Sequence, residues 1–78
     1  METIIDILED LKPGVDYANQ TELVKTRVLD SLTIIALVAE LEDEFDITIP
    51  AVEIVAQNFD SVEAIDRLVR RLQDEDEL

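Results

Sequence analysis

Apolar residues recur at helical spacing along most of this chain. Near its start Ile4, Ile5, Leu8 and Leu11 share one face, while Glu2, Asp6, Glu9 and Asp10 look outward. Lys12-Pro13-Gly14 stops that helix, because proline lacks a backbone N–H and glycine suits a turn. From Val15 to Asp30 no period holds, yet Val15, Tyr17, Leu23, Val24, Val28 and Leu29 are too apolar for a solvated linker. The spacing predicts a long loop lying over the core there, with one irregular turn. Ser31 to Phe45 is the strongest helix, with Ser31 expected to cap its first turn. Asp46 to Pro50 ends it, since β-branched residues before a proline disfavour helix. Ala51 to Ala56 has the pattern of short turns with Pro50 at or near their start, and Asn58-Phe59-Asp60-Ser61 is a second break with two candidate caps. The last helix places Val62, Ile65, Leu68, Val69 and Leu72 on one face, and Arg67, Arg70 and Arg71 near its C-terminal end, where the dipole favours cations. There is no internal repeat. The expected fold is all-α: a small bundle of three main helices plus a short one, with a long loop after the first helix. Residues 1–73 form its single domain, and 74–78 an acidic, disordered tail.

The middle helix is apolar on more than one side. At about 100° per residue Ile34, Leu37, Val38, Leu41 and Phe45 form the core stripe. The opposite side is charged in its second half, at Glu40, Glu42, Asp43 and Glu44. In the first half Leu32, Ala36 and Ala39 point away from the core, with Ile35 at the border. An outward apolar strip merging into carboxylates has the make-up of a docking surface. Cover by the long loop is the plain alternative, and scattered surface apolar residues are ordinary.

Composition narrows the functions. Twenty acidic residues against six basic give −14, so nucleic acid and anionic membranes are repelled and partners with basic patches are expected. With 47% apolar residues the chain has too much core material for a disordered acidic tail. The absence of cysteine and histidine excludes disulfides, thiolate metal sites and Ser–His–Asp or Cys–His pairs, and no resident metal is expected. Paired carboxylates can hydrolyse glycosides, but 78 residues leave little room for a deep pocket, so no enzymatic activity is expected. No apolar run is long enough to span a membrane and no signal peptide opens the chain, which reads as a soluble, cytoplasmic monomer.

One tripeptide remains as a chemical handle. Asp30-Ser31-Leu32 stands at the start of the middle helix, where an ester phosphate on the serine is favoured by the positive end of the dipole. Asp30 is placed to help an enzyme hold a divalent metal during attachment. Taken alone, Asp-Ser before a helix is an ordinary start signal. Its context is less ordinary. Val28-Leu29-Asp30-Ser31-Leu32, the run Leu37 to Pro50 and Asn58-Phe59-Asp60-Ser61-Val62-Glu63-Ala64-Ile65 together resemble the acyl carrier protein family, which includes acyl, aminoacyl and peptidyl carriers.

The resemblance implies that a phosphopantetheinyl transferase modifies Ser31 with 4′-phosphopantetheine from coenzyme A, with Asp30 and Leu32 beside it. The arm's thiol then carries acyl intermediates as thioesters between partner enzymes. A loading ligase or synthetase and acyltransferases or synthases with basic docking patches are the implied partners. Leu32, Ile35, Ala36, Ala39, Glu40, Glu42 and Asp43 are the candidate docking residues. Two departures bear on cargo. Carriers of fatty acid biosynthesis usually have acidic residues two and five positions after the serine, here Thr33 and Ala36, and the glycine often found before Leu-Asp-Ser is Arg27, with Lys25 nearby. An aminoacyl carrier of the D-alanyl type, or a free-standing peptidyl carrier, therefore stands as the alternative to an acyl carrier. A different class, an acidic module that binds non-covalently, has only the net charge behind it. Should a carrier shelter a long acyl chain, Leu37, Leu41, Phe45, Ile54, Val62 and Ile65 are the residues placed to line the space, though plain core is their simpler role.

Overall fold

The computed structural model describes residues 2–76, which fold into four helices. They are α1 (Glu2–Leu11), α2 (Ser31–Phe45), α3 (Ala56–Phe59) and α4 (Val62–Asp76), with a 3-10 turn at Ala51–Glu53 between α2 and α3. No strand occurs among the described residues. The stripes read from the sequence meet in one core. Ile4 and Leu8 of α1, Leu37 and Leu41 of α2, and Ile65, Leu68 and Val69 of α4 are all buried. Each such side chain contributes about 1.5–3 kcal/mol over its exposed state. Ile34, Val38 and Phe45 pack half-buried against that core. Among the described residues no polar or charged side chain is buried, so the excess of carboxylates sits on the surface.

The segment between α1 and α2 is the expected loop over the core, with Tyr17, Leu23 and Leu29 fully covered. The buried Tyr17 hydroxyl donates to the Lys12 carbonyl at 2.6 Å, which satisfies its polar end. The loop is anchored from the far side of the sequence. Asp60 Oδ1 accepts the N–H groups of Val24 and Lys25 at 3.0 and 3.3 Å, and the Asp60 carbonyl accepts Leu23 N–H at 2.7 Å. The break at 58–61 thus does more than cap. Only Ser61 caps α4, its Oγ accepting Ala64 N–H at 3.0 Å; Asn58 instead donates to the Glu53 carbonyl at 2.8 Å.

The ends of the helices carry two departures from expectation. α4 continues to Asp76, so Asp74 and Glu75 are helical where a loose tail is expected from their charge; Glu77 and Leu78 of that tail lie outside the described residues. Arg70 and Arg71 consequently lie in the body of α4 and act through side-chain partners instead of through the helix dipole. Arg70 Nε pairs with Asp66 one turn earlier at 3.0 Å. Arg71 grips the Glu53 carboxylate with both terminal guanidinium nitrogens, at 2.6 and 3.0 Å, and so clasps the 3-10 turn onto α4. That guanidinium holds the Glu53 carboxyl below its ordinary range, and the bond raises Arg71 in turn.

α2 stops because Asp46 enters the left-handed region, at φ 53°, and Ile47 N–H folds back to the Glu42 carbonyl at 3.3 Å. No helix among the described residues is long and apolar enough to cross a membrane.

Candidate functional site

Ser31 is the first residue of α2, and it is not the cap that the sequence leads one to expect. Asp30 takes that role: it sits in extended backbone, at φ −87° and ψ 177°, and its Oδ1 accepts Thr33 N–H at 2.8 Å. A carboxylate is as good a cap as a hydroxyl and also complements the dipole, so the residue one position earlier wins. Ser31 is left exposed, and its hydroxyl makes no hydrogen bond among the described residues. The Thr33 N–H bond holds the Asp30 carboxyl below its usual range, and the field of Lys12 adds to the effect. An ionised carboxylate therefore stands directly beside a free hydroxyl.

The outward strip of α2 is uncovered. Leu32 is 80% and Ile35 64% exposed, so the loop does not lie over them. Ala39, Glu40, Asp43 and Glu44 are exposed on the same helix, and Ala36 is half-buried. Glu42 differs from its neighbours: its Oε2 accepts Ile49 N–H at 2.9 Å, which ties the chain after α2 back to the helix. Its carboxylate has an internal partner and is not free in the way that Glu40 and Asp43 are.

Apolar side chains of the segment after α2 are exposed as well, Ile54 against expectation. Val52, in the 3-10 turn, is 79% exposed, and Ile54, read as core or chain-lining, is only partly covered, at 39% exposed. A three-residue turn has no second face to bury, and its attachment runs through Glu53 to Arg71, a contact across 18 residues that no periodicity signals. The other residues considered as a lining, Leu37, Leu41, Val62 and Ile65, are buried in the continuous core, with Phe45 half-buried at its edge.

Comparison with known proteins places this geometry. Residues 29–69 match the family described as phosphopantetheine attachment site. The chain is 41% identical to aminoacyl carrier protein 1 of Bradyrhizobium diazoefficiens over 63 residues, covering 81% of this chain and 69% of that protein. It is 31% identical to a D-alanyl carrier protein of Lactobacillus delbrueckii subsp. bulgaricus over 75 residues, covering 94% of this chain and 92% of the relative. A D-alanyl carrier protein of Streptococcus suis is 34% identical over 65 residues, 82% of either chain. The matched stretch contains both serines of the sequence, Ser31 and Ser61.

Proposed function

The chain belongs to the carrier-protein family defined by a phosphopantetheine attachment site, and from that premise we propose that Ser31 bears the arm and that its cargo is an amino acid. The prosthetic group is covalent 4′-phosphopantetheine. What favours Ser31 over Ser61 is the division of work between caps. Asp30 satisfies the start of α2 and leaves the Ser31 hydroxyl exposed, whereas the Ser61 hydroxyl is half-buried and committed to Ala64 N–H. The residues fit a phosphate ester: an accessible oxygen at a helix start, with space around it and no bond to break. When bound, the arm supplies a terminal thiol on which cargo is held as a thioester.

The protein's own residues present, orient and dock. Ser31 Oγ is the acceptor offered to the phosphopantetheinyl transferase, and the ionised Asp30 marks the site beside it. Chemistry belongs to the partners, since a chain without histidine or cysteine holds no obvious catalytic pair of its own. We place the carrier in the cytoplasm, the compartment of its coenzyme A donor. Docking falls to Leu32, Ile35, Ala36 and Ala39 as an apolar centre, with Glu40 and Asp43 as a rim for basic patches on a transferase, a loading ligase and a downstream acyltransferase. Leu32→Asp should lower kcat/KM for transferase modification about tenfold, the loss of roughly 1.4 kcal/mol expected for a central apolar contact. A rate within twofold of the parent moves the docking surface elsewhere.

Three observations favour aminoacyl over fatty acyl cargo. The relatives are named for aminoacyl and D-alanyl groups. Thr33 and Ala36 stand where carriers of fatty acid biosynthesis are usually acidic. The residues that would make room for a long chain, Leu37, Leu41 and Ile65, are fully packed. Intact-mass spectrometry of the protein isolated from its own cells tests this: the arm plus one amino acid is expected. A load with the mass of a long acyl chain overturns the cargo assignment and leaves the attachment standing.

A further inference from the structure

We propose that Asp60 is a positioning residue for the reaction at Ser31: it holds the turn that runs into Asp30-Ser31, and so sets how a phosphopantetheinyl transferase meets that serine. This rests on the attachment reading and adds to it a residue from the far side of the fold.

The first reason is connectivity. Three successive backbone N–H groups end on Asp60: its carbonyl accepts Leu23 at 2.7 Å, and its Oδ1 accepts Val24 and Lys25 at 3.0 and 3.3 Å. The turn then closes on itself, with Arg27 N–H on the Val24 carbonyl at 3.0 Å and Leu29 N–H on the Leu23 carbonyl at 2.9 Å. Its two ends, Leu23 and Leu29, are both buried. From Leu29 the chain passes directly into Asp30, whose carbonyl and carboxylate start α2 by accepting Ile34 and Thr33 N–H. An unbroken path of hydrogen bonds and one peptide link therefore joins Asp60 to the cap beside Ser31.

The second reason is that nothing else does this work. Among the described residues, Asp60 alone hydrogen-bonds the loop between α1 and α2 to the α3–α4 side of the fold. Any residue supplies the carbonyl, but only a short side chain with an oxygen in the Oδ1 position supplies the other two bonds. Without it the half-buried Val24 N–H loses its partner, and the turn is free to settle elsewhere. Lys25, Thr26 and Arg27 are exposed on that turn and lead straight to the serine. A binding loop is only as well defined as the scaffold that holds it. The labour is thus divided: Asp30 and α2 fix Ser31 Oγ itself, and Asp60 fixes the flank that a partner meets beside it.

The test sets two replacements against each other. Asp60→Asn keeps an oxygen in the Oδ1 position and drops the charge; Asp60→Glu keeps the charge and moves the oxygen out by one methylene. With saturating coenzyme A and a broad-specificity transferase, the KM for apo Asp60→Glu should rise about tenfold while kcat stays within about twofold, because docking is lost and bond-making is not. Asp60→Asn should match the parent within about twofold in both. The amide resonances of Leu29, Asp30 and Ser31 should move in Asp60→Glu and hold in Asp60→Asn, while those of Leu68 and Val69 in the core hold in both. A loss of stability alone moves neither the KM nor the resonances of the folded protein. Asp60→Ala, in which the side-chain bonds are simply absent, takes the place of Asp60→Glu if that variant does not fold. An Asp60→Asn as poor as Asp60→Glu overturns the inference, since the carboxylate charge is then what the partner reads. So does an Asp60→Glu whose KM stays within about twofold of the parent. Both outcomes spare the attachment; a parent that gains no phosphopantetheine mass overturns the attachment reading and this inference with it.

Discussion

Replacing Ser31 by alanine should abolish uptake of phosphopantetheine while leaving the fold in place. Incubation of the parent with coenzyme A and a broad-specificity transferase adds one phosphopantetheine mass; Ser31→Ala should add none. The second half of the expectation follows from the caps. Asp30 satisfies the Thr33 N–H, so the Ser31 hydroxyl holds nothing together, and its loss should change stability by no more than about 0.5 kcal/mol. Ser61→Ala should behave in the opposite way. That hydroxyl caps α4 through Ala64 N–H, and its removal should cost about 1 kcal/mol while uptake is unchanged. In a domain of this size that cost corresponds to a fall of roughly 4–8 °C in melting temperature. The two serines thus separate tether from cap in one paired measurement. An arm found on Ser31→Ala by mass would remove the attachment from this residue.

Phe59→Ala should bring the domain close to unfolding. Phe59 is fully buried, yet it belongs to α3, a helix of only four residues that has no stability apart from its packing. Deleting a buried phenyl ring costs about 3–5 kcal/mol, transfer and cavity terms together. A chain of this length is stable by about 4–12 kcal/mol in total. The damage should spread toward the site, because the next residue, Asp60, anchors the loop through Leu23, Val24 and Lys25. Urea unfolding of apo protein reads the loss directly, with Val52→Ala as the control. Val52 is 79% exposed, and its truncation should be neutral within about 0.5 kcal/mol. A loss under about 1.5 kcal/mol for Phe59→Ala would mean that the core closes around the gap.

Much of the site was legible because helical spacing is a local property. The stripe Ile34, Leu37, Val38, Leu41, Phe45 turns inward as its period demands, and Leu32 and Ile35 are left outside by the same rule. Sequence puts the cap one residue too late because aspartate and serine are equally good caps, and only the extended backbone of Asp30 decides between them. Charge alone sets Glu42 with its exposed neighbours and does not reveal that its carboxylate meets Ile49 N–H.

Order along the chain was enough to determine the helices, their inward faces, the surplus of negative charge and an Asp-Ser-Leu start resembling that of carriers. Each depends on residues within a few positions of one another, or on composition. Folding in three dimensions alone decided which serine is free, which carboxylates are engaged, that Arg71 clasps Glu53 and that Asp60 pins the loop before Ser31. Those outcomes depend on backbone angles and on groups 7 to 36 positions apart, which meet only once the chain has folded.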